Sequence, residues 1–223
     1  MNIFDIIGPV MIGPSSSHTA GAVRIGRVSW KILGERAVDA EIGLAGSFSR
    51  TYKGHGTDKA LIAGILGMKP DDDRIPNSFT IAAQTGLSFR FSEIKLAHEH
   101  PNTAVLHLTG ENGTKCTVQG ASVGGGRILI TKLNGMDSVF SGDLDTLIIA
   151  HNDTPGMIAS VASLLAGSGI NIGNFRLSRP HKGKPAIMTI EMDDSIEKSA
   201  VNVLKSFHGI ISVVYMRAAS QHQ

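Results

Sequence analysis

The chain is poor in several residue types on which whole classes of protein depend. It has a single cysteine, Cys116, so an internal disulfide is excluded. An iron–sulfur cluster normally takes about four thiolates, so this chain cannot hold such a cluster alone. Aromatic residues make up 5% of the chain, and no apolar run reaches the ~20 residues that a membrane-spanning helix needs. We therefore expect no metal site within the chain and no membrane association.

An excess of charge and a targeting signal are also missing. The 21 basic and 19 acidic residues leave a net charge of +2, which is too balanced to indicate nucleic acid as a partner. The first residues, Met1 to Asp5, lack the basic start and the apolar core of a signal peptide. A cytoplasmic location is therefore expected.

Glycine, by contrast, is abundant. The chain has 26 glycines in 223 residues, which is about 12% against a usual level of roughly 7%. Glycine permits tight turns and lets the backbone approach a ligand closely, as the binding of small anions requires.

The last third of the sequence predicts a ferredoxin-like domain. Apolar runs indicate four strands, at 144–150, 170–178, 186–192 and 210–216. Apolar residues at helical spacing run from Met157 to a stop at Gly167, and they return at 195–207. Asp153 or Thr154 is expected to cap the first helix, with Pro155 in its first turn. The order is βαββαβ, a sheet with two helices on one face.

The first two thirds predict a mixed α+β domain, so the fold class of the whole chain is α+β. Helices are expected at 19–33 and 58–66, and strands at 38–44, 103–109, 115–123 and 127–133. Asn112-Gly113 is a hairpin signal between two of these strands. Polar and turn-forming residues at 134–143 mark the boundary, which gives domains at 1–138 and 143–218.

A serine-rich loop leads directly into the first predicted helix. Its sequence, Gly-Pro-Ser-Ser-Ser-His-Thr-Ala-Gly at 13–21, sets three hydroxyls and His18 beside a helix N-terminus. Free backbone N–H groups and the positive end of the helix dipole favour an anion there. The alternative is a serine that caps the helix, with one incidental histidine.

A second loop, Gly-His-Gly-Thr-Asp at 54–58, repeats this arrangement. His55 lies between two glycines just before a helix that Thr57 can cap. A helix N-terminus disfavours imidazolium, so a neutral His55 could act as a base. The alternative is an ordinary loop histidine.

The remaining polar clusters carry weaker signals. His100 and Asn102 lie just before a predicted strand, and a Ser-Val-Gly-Gly-Gly segment at 122–126 lies between two others; either cluster is compatible with a plain turn. The histidines lack a zinc-type spacing such as His-Glu-x-x-His, and the triple glycine lacks the lysine of a P-loop. Ser47 and Ser49 do not form a nucleophile elbow.

Taken together, these motifs resemble the β subunit of the bacterial iron–sulfur type of L-serine dehydratase. The segments at 13–19, 46–48, 54–58, 100–103 and 122–126 occur in the family's order. The C-terminal domain resembles an ACT domain, an amino-acid-sensing module. The N-terminal domain is also similar to the allosteric substrate-binding domain of some phosphoglycerate dehydrogenases.

The resemblance implies a two-subunit lyase. A separate α subunit would carry a [4Fe–4S] cluster whose iron acts on the serine hydroxyl, while a base removes the Cα proton. Water leaves, and aminoacrylate breaks down to pyruvate and ammonia without pyridoxal phosphate. This chain would supply His55 and His18 as catalytic residues. It would bind substrate through the following residues: Ser15, Ser16, Ser17, Thr19, Gly54, Gly56, Thr57, Asp58, His100 and Asn102.

The ACT resemblance also implies a regulatory ligand and a homodimer. His151, Asp153 and Asn171 fall at the ligand-contacting positions. Asp153 departs from the asparagine of some serine-binding ACT domains, and its carboxylate would repel a ligand's carboxylate while favouring its ammonium. ACT modules commonly pair, because their sheets leave edge strands to be covered.

A function of another class fits the same sequence. The chain could be a non-catalytic module that senses serine or another amino acid. The Gly-His-Gly-Thr-Asp motif discriminates between the two, because a sensor needs donors and charge but no base positioned for proton transfer.

Overall fold

The protein is described here by a computed structural model covering residues 11–218, and the predicted absence of a signal peptide at Met1 to Asp5 lies outside this range. Contacts divide the chain into two compact units, Met1–Gly135 and Met136–Gln223. The predicted α+β class is confirmed, because both units combine helices with a sheet. The predicted limits of the domains, 1–138 and 143–218, stay a prediction. Among the described residues, no helix is both long and apolar enough to cross a membrane.

The first described element of the first unit is a π-helical turn, Ser16–Ala20, that runs into a long helix. Its helices are α1 (Gly21–Leu33), α2 (Gly46–His55), α3 (Thr57–Ile65) and α4 (Ser78–Thr85). Its strands are β1 (Ala37–Leu44), β2 (Ser88–Glu93), β3 (Thr103–Gly110), β4 (Lys115–Gly124) and β5 (Arg127–Leu133). These strands lie in the order β2-β1-β3-β4-β5, with β1 and β2 parallel and the other pairs antiparallel.

The predicted elements of this unit are confirmed to within a few residues, but α2, α4 and β2 have no counterpart among them. The reason is plainest for α2, since Phe48 is its single buried residue and two glycines lie within it. Such a segment has no apolar stripe from which a helix can be recognised. The helix forms because Phe48 enters the core and because the backbone N–H groups of Ser47 and Phe48 donate to the Pro101 carbonyl.

Two glycines allow α1 and α3 to pack backbone against backbone. A Cβ atom built on Gly64 would lie 2.1 Å from the Val23 carbonyl oxygen, and one on Gly26 would lie 2.3 Å from that of Leu61. Real Cβ atoms do not approach so closely, so any side chain at either position would push the helices apart. The other face of α1 lies against β3, β4 and β5.

The second unit has the predicted βαββαβ order after a first short strand. It consists of β6 (Met136–Phe140), β7 (Asp145–Asn152), α5 (Met157–Gly167), β8 (Ile172–Ser178), β9 (Pro185–Met192), α6 (Lys198–Ser206) and β10 (Ile210–Met216). Four strands form an antiparallel sheet in the order β10-β7-β9-β8. Alternate residues of β7 and β9, such as Leu147 and Met188, form one core with Val161 of α5 and Leu204 of α6. Both helices therefore cover the same face of the sheet.

The predicted start of α5 is wrong. The residue before Met157 is Gly156, in the left-handed conformation with φ 88°, and no side chain caps the helix. Neither Asp153 nor Thr154 is the cap, and Pro155 precedes the helix instead of lying in its first turn. The Asp153 carboxylate is used elsewhere, since it accepts hydrogen bonds from Arg179 and the Gly183 N–H.

The contact between α1 and α3 predicts that Gly64→Ala destabilises the protein. The added methyl group would meet the Val23 carbonyl, and overpacking of this kind costs about 1–3 kcal/mol of unfolding free energy. Urea unfolding of the full chain measures the loss. Gly54→Ala is the matched control, because nothing lies within 4 Å of its added Cβ in α2. That variant should be as stable as the parent or gain up to about 1 kcal/mol from helix propensity. Equal urea midpoints for Gly64→Ala and the parent would contradict the close contact.

Candidate functional site

Four of the sequence motifs meet in the first unit. The Thr19 hydroxyl donates to the His55 carbonyl across 3.4 Å, so the serine-rich turn touches the end of α2. His18 Nε2 lies 3.2 Å from Ser47 Oγ at the beginning of the same helix. The Ser47 N–H donates to the Pro101 carbonyl at 2.6 Å, which adds the His-Pro-Asn-Thr loop. Segments that are far apart in the chain therefore form one site.

His18 is held on both edges of its ring. Its Nδ1 lies 3.3 Å from Ser15 Oγ, and its Nε2 contacts Ser47 Oγ at the opposite side. The ring packs edge-on against Phe48, with centroids 5.4 Å apart, and against His55, with centroids 4.8 Å apart and planes at 84°. The side chain is half-buried. His18 is thus fixed in position by four neighbours.

The environment keeps His18 neutral. Partial burial lowers the pKa of His18 below its usual 6.5, and the nearby His55 lowers it further. A neutral imidazole has one nitrogen that donates and one that accepts. Both nitrogens find a serine hydroxyl, which can play either role.

His55 lies two residues before α3, as predicted, with Gly56 in the left-handed conformation (φ 70°) between them. It is also the last residue of α2, a helix that was not predicted, and the C-terminal end of α2 has the opposite polarity to the N-terminal end of α3. The prediction that a helix N-terminus favours neutral His55 therefore stays a prediction. The His18 ring packs edge-on against His55, with the ring centroids 4.8 Å apart. His55 is exposed and can reach a ligand.

The residues around His55 divide into open and buried positions. Gly54 and Gly56 have nothing within 4 Å of a built Cβ, so the backbone on both sides of His55 is open to approach. Thr57 and Asp58 are buried in the first turn of α3. The prediction that Thr57 caps this helix is wrong, because Gly56 is the cap residue and Thr57 Oγ1 is buried without a hydrogen-bond partner.

The His-Pro-Asn-Thr loop presents one exposed and one buried polar group. His100 is exposed, and its Nδ1 accepts a hydrogen bond of 3.1 Å from the Asn102 N–H. Among residues 11–218, neither Asn102 Oδ1 nor Ser122 Oγ on β4 has a hydrogen-bond partner, and both atoms are buried. Ser122 Oγ would lie 2.1 Å from a Cβ built on Gly21, so this strand lies directly against the start of α1.

Sequence reasoning did not assign a role to Ser47 or Ser122. The signal for both was present, because each belongs to one of the short motifs that occur in the family's order. The predicted residues Ser16 and Ser17 are half-buried in the π-helical turn. A cavity of about 290 Å³ lies beside Gly46, Arg50 and His100, but neither His18 nor His55 lines it.

A second candidate site lies in the second unit, where β7 meets α5. A cavity of about 420 Å³ is lined by His151, Asp153, the residues that follow to Ala159, and Leu177. His151 is 1% exposed; its Nδ1 lies 2.8 Å from the Asn152 carbonyl, and its Nε2 has no partner. Because Nδ1 donates to that carbonyl, Nε2 is an acceptor. Asn171 does not line the cavity and donates instead to Asp193.

The Asp153 carboxylate is already compensated. The hydrogen bond from the Gly183 N–H, together with Arg179, holds the pKa of Asp153 below its usual range. Asp153 was expected to repel a ligand's carboxylate and to attract its ammonium group. The positive charge of Arg179 acts against both effects. The pair also ties the loop before α5 to the turn between β8 and β9.

The potential metal ligands of the chain are scattered. Among residues 11–218, no group of three or more His, Cys, Asp or Glu residues is placed to hold a metal ion. Cys116 is buried on β4, and burial raises the pKa of its thiol to about 12. A thiol of that kind stays protonated in the folded chain.

Comparisons with protein families and with individual proteins lead to the same family. Residues 2–132 match the family described as serine dehydratase beta chain, and residues 146–209 match the ACT domain. The chain is 44% identical to a probable L-serine dehydratase beta chain of Bacillus subtilis, over 95% of this chain and 96% of that one. It is 38% identical to an L-serine dehydratase beta chain of Peptoniphilus asaccharolyticus, over 96% of each. A D-3-phosphoglycerate dehydrogenase of Bacillus subtilis is 28% identical over 86% of this chain but 36% of its own length. The predicted resemblance is confirmed.

The depressed pKa of His18 predicts that stability falls on mild acidification. The unfolded chain takes up a proton at His18 near pH 6.5, whereas the folded chain takes it up only at a lower pH. Below 6.5 the unfolded state therefore binds more protons, and the contribution of His18 to the free energy of unfolding, present above that pH, is progressively lost. Urea unfolding at about pH 7.5 and about pH 5.5 measures the slope.

His18→Asn supplies the comparison for this slope. The other histidines remain in both proteins, so the difference between the two slopes reports His18. We expect a flatter pH dependence in the variant, whatever its absolute stability. Identical slopes would show that His18 titrates in the folded protein as it does in the unfolded chain.

Proposed function

The chain belongs to the serine dehydratase beta chain family, and from that premise we propose that it is the β subunit of an L-serine ammonia-lyase that converts L-serine to pyruvate and ammonia. The proposal is carried by one observation, the convergence of the serine-rich turn with His55, in which the His18 and His55 rings lie 4.8 Å apart. An anion-binding turn beside an exposed imidazole suits a substrate that has a carboxylate and must lose a proton from the neighbouring carbon.

The enzyme is active, in this proposal, only together with an α subunit. The family implies a [4Fe–4S] cluster, and the residues of this chain do not fit one, since its single cysteine is buried with a pKa of about 12. The cluster therefore belongs to the partner chain. Two relatives are named as beta chains, and this name agrees with an enzyme that also contains an α chain.

This chain's own contribution begins with the substrate carboxylate. The π-helical turn Ser16–Ala20 leads into α1, where backbone N–H groups and the positive end of the helix dipole favour an anion. Within residues 11–218, the hydroxyls of Ser16 and Ser17 have no recorded protein partner and are available to a ligand. They would hold the carboxylate and orient the Cα–H bond.

His55 would then accept the Cα proton. It is exposed, the glycines on both sides leave room for the substrate, and its ring packs against that of His18. The hydroxyl group leaves and takes up one proton to become water, which balances the proton removed from Cα, so that L-serine is converted to aminoacrylate and water. Its imine tautomer is hydrolysed to pyruvate and ammonia. His18 would keep His55 in place and is itself too enclosed to reach the Cα atom.

The second unit would regulate this activity. As an ACT domain it is proposed to bind an amino acid in the cavity beside His151, where the unpartnered Nε2 can accept a hydrogen bond from the ammonium group. A homodimer would form through its sheet. Its edge strands β8 and β10 expose Phe175 (38%) and Ile211 (55%), and covering such edges is a common reason for ACT domains to pair.

Co-expression tests the function as a whole. The chain produced anaerobically with a cysteine-bearing α subunit should release pyruvate from L-serine, whereas the chain alone should be colourless and inactive. Turnover by the isolated chain would refute the two-subunit proposal. Binding of serine by the chain, with no turnover in the complex, would favour the non-catalytic sensing module.

His55→Ala in the assembled enzyme is expected to lower kcat by ~10²–10⁴, which is the usual effect of removing a positioned general base. Iron content should stay at the parental level. Ser17→Ala should mainly raise KM, because it removes an interaction made equally with substrate and transition state. His107→Ala is the matched control: His107 is an exposed histidine on β3 that contacts Thr117 and no residue of this site. A His55→Ala enzyme with parental kcat would refute the base assignment.

His151→Ala is expected to weaken amino-acid binding to the second unit. Loss of a hydrogen bond to a charged group corresponds to roughly 10- to 100-fold in affinity. Calorimetry of the full chain with L-serine and other amino acids measures the change. His181→Ala, in the exposed turn between β8 and β9, is the control. Equal amino-acid affinities for His151→Ala and the parent would contradict binding of the regulatory ligand in this cavity.

A further inference from the structure

Helix α2 contacts His18 at both of its ends. Its second residue, Ser47, places Oγ 3.2 Å from His18 Nε2, and its last residue, His55, places its ring against the His18 ring. We propose that Ser47 is a positioning residue, which holds His18 in one tautomer and orientation and thereby sets the position of His55 for proton transfer. This inference rests on the proposed function, in which His55 is the base.

The backbone of Ser47 is fixed on two sides. Its N–H donates to the Pro101 carbonyl at 2.6 Å, and its own carbonyl accepts a hydrogen bond of 2.8 Å from the Thr51 hydroxyl. The preceding Gly46 has φ +56°, and a Cβ there would lie 2.6 Å from the Pro101 carbonyl oxygen. The close approach that orients Ser47 therefore requires glycine at 46. This rigid segment thus holds the Ser47 hydroxyl next to His18.

The hydrogen bonds around His18 favour one tautomer. Ser15 Oγ accepts from the His18 backbone N–H at 3.1 Å, and its own O–H is available to donate to Nδ1, 3.3 Å away. In that arrangement Nδ1 accepts and Nε2 carries the ring proton. The Nε2–H group would then donate to Ser47 Oγ, 3.2 Å away. Without Ser47 this donor would lose its partner, and the preference between the two tautomers would weaken.

His55 depends on this arrangement because little else restrains it. It is exposed at the end of a helix, and the glycines beside it offer no side-chain contact. Among the described residues, the ring that contacts His55 is that of His18, and the two ring planes meet at 84°. A His18 ring that turns freely would release His55 from the orientation in which it meets the substrate.

The experiment compares Ser47→Ala with Ser47→Thr, which restores a hydroxyl, in the full chain. Nitrogen-15 NMR of the imidazole rings reports the tautomer of His18 directly, and His18→Gln assigns its signals among the nine histidines. Ser47→Ala should shift the His18 tautomer ratio by about fivefold, as loss of one hydrogen bond predicts, and should broaden or shift the His55 signals. Ser47→Thr should behave like the parent. Ser49→Ala is the matched control, since that hydroxyl bonds the Gly46 carbonyl in the same helix and not His18.

Kinetics of the assembled enzyme give a second, independent readout. Ser47→Ala should lower kcat by about 10- to 100-fold, the usual cost of misplacing a catalytic group, while KM changes less than about twofold. An unchanged His18 tautomer in Ser47→Ala, or the same change in Ser49→Ala or Ser47→Thr, overturns the proposal. If the NMR result holds but no complex turns over serine, the positioning role stands and the proposed function fails.

Discussion

The backbone contact between α1 and α3 determines the geometry of the site. Gly26 and Gly64 let the two helices approach until carbonyl groups lie where side chains would otherwise be. The chain just before α1 carries His18, and the residue two before α3 is His55. The crossing of these helices therefore sets the separation of the two imidazoles, and a single methyl group at the crossing would change it.

The two histidines differ in environment, and the proposed roles follow from this difference. His18 lies between two serine hydroxyls, and burial lowers its pKa, whereas His55 is exposed at the end of α2. In the proposed function the half-buried ring supports the exposed ring, and the exposed ring meets the substrate. The hydroxyl of Ser47 links the support to the rest of the first unit.

The second unit uses its charges differently. Its buried and half-buried carboxylates are satisfied within the unit: Asp153 by Arg179 and Gly183, and Asp145 by Tyr215 and the Ala218 N–H. Among the described residues that line the cavity beside α5, His151 Nε2 is the buried polar atom without a partner. In the proposed function, an amino acid in this cavity would therefore meet the His151 imidazole and an ion pair whose charges are already compensated.

The sequence alone determined the features that depend on local patterns. The βαββαβ order follows from apolar residues at spacings of two and of three to four, and the sites of most turns follow from glycine, because these signals lie within a few residues of one another. The motifs also sufficed to recognise the family. Helix α2 was not predicted, because it is stabilised by a single buried side chain, Phe48, and by a contact with the distant Pro101, and neither produces a helical pattern in the sequence.

Tertiary structure alone decided the chemistry of the site. His55 ends α2, and its ring packs against that of His18, a residue 37 positions earlier in the chain. Ser47 lies 29 positions from the imidazole that it holds. Asn171 follows α5, yet it bonds Asp193 and does not reach the cavity of His151. Such relations are set by the packing of distant segments, and no local pattern in the sequence encodes a distance between them.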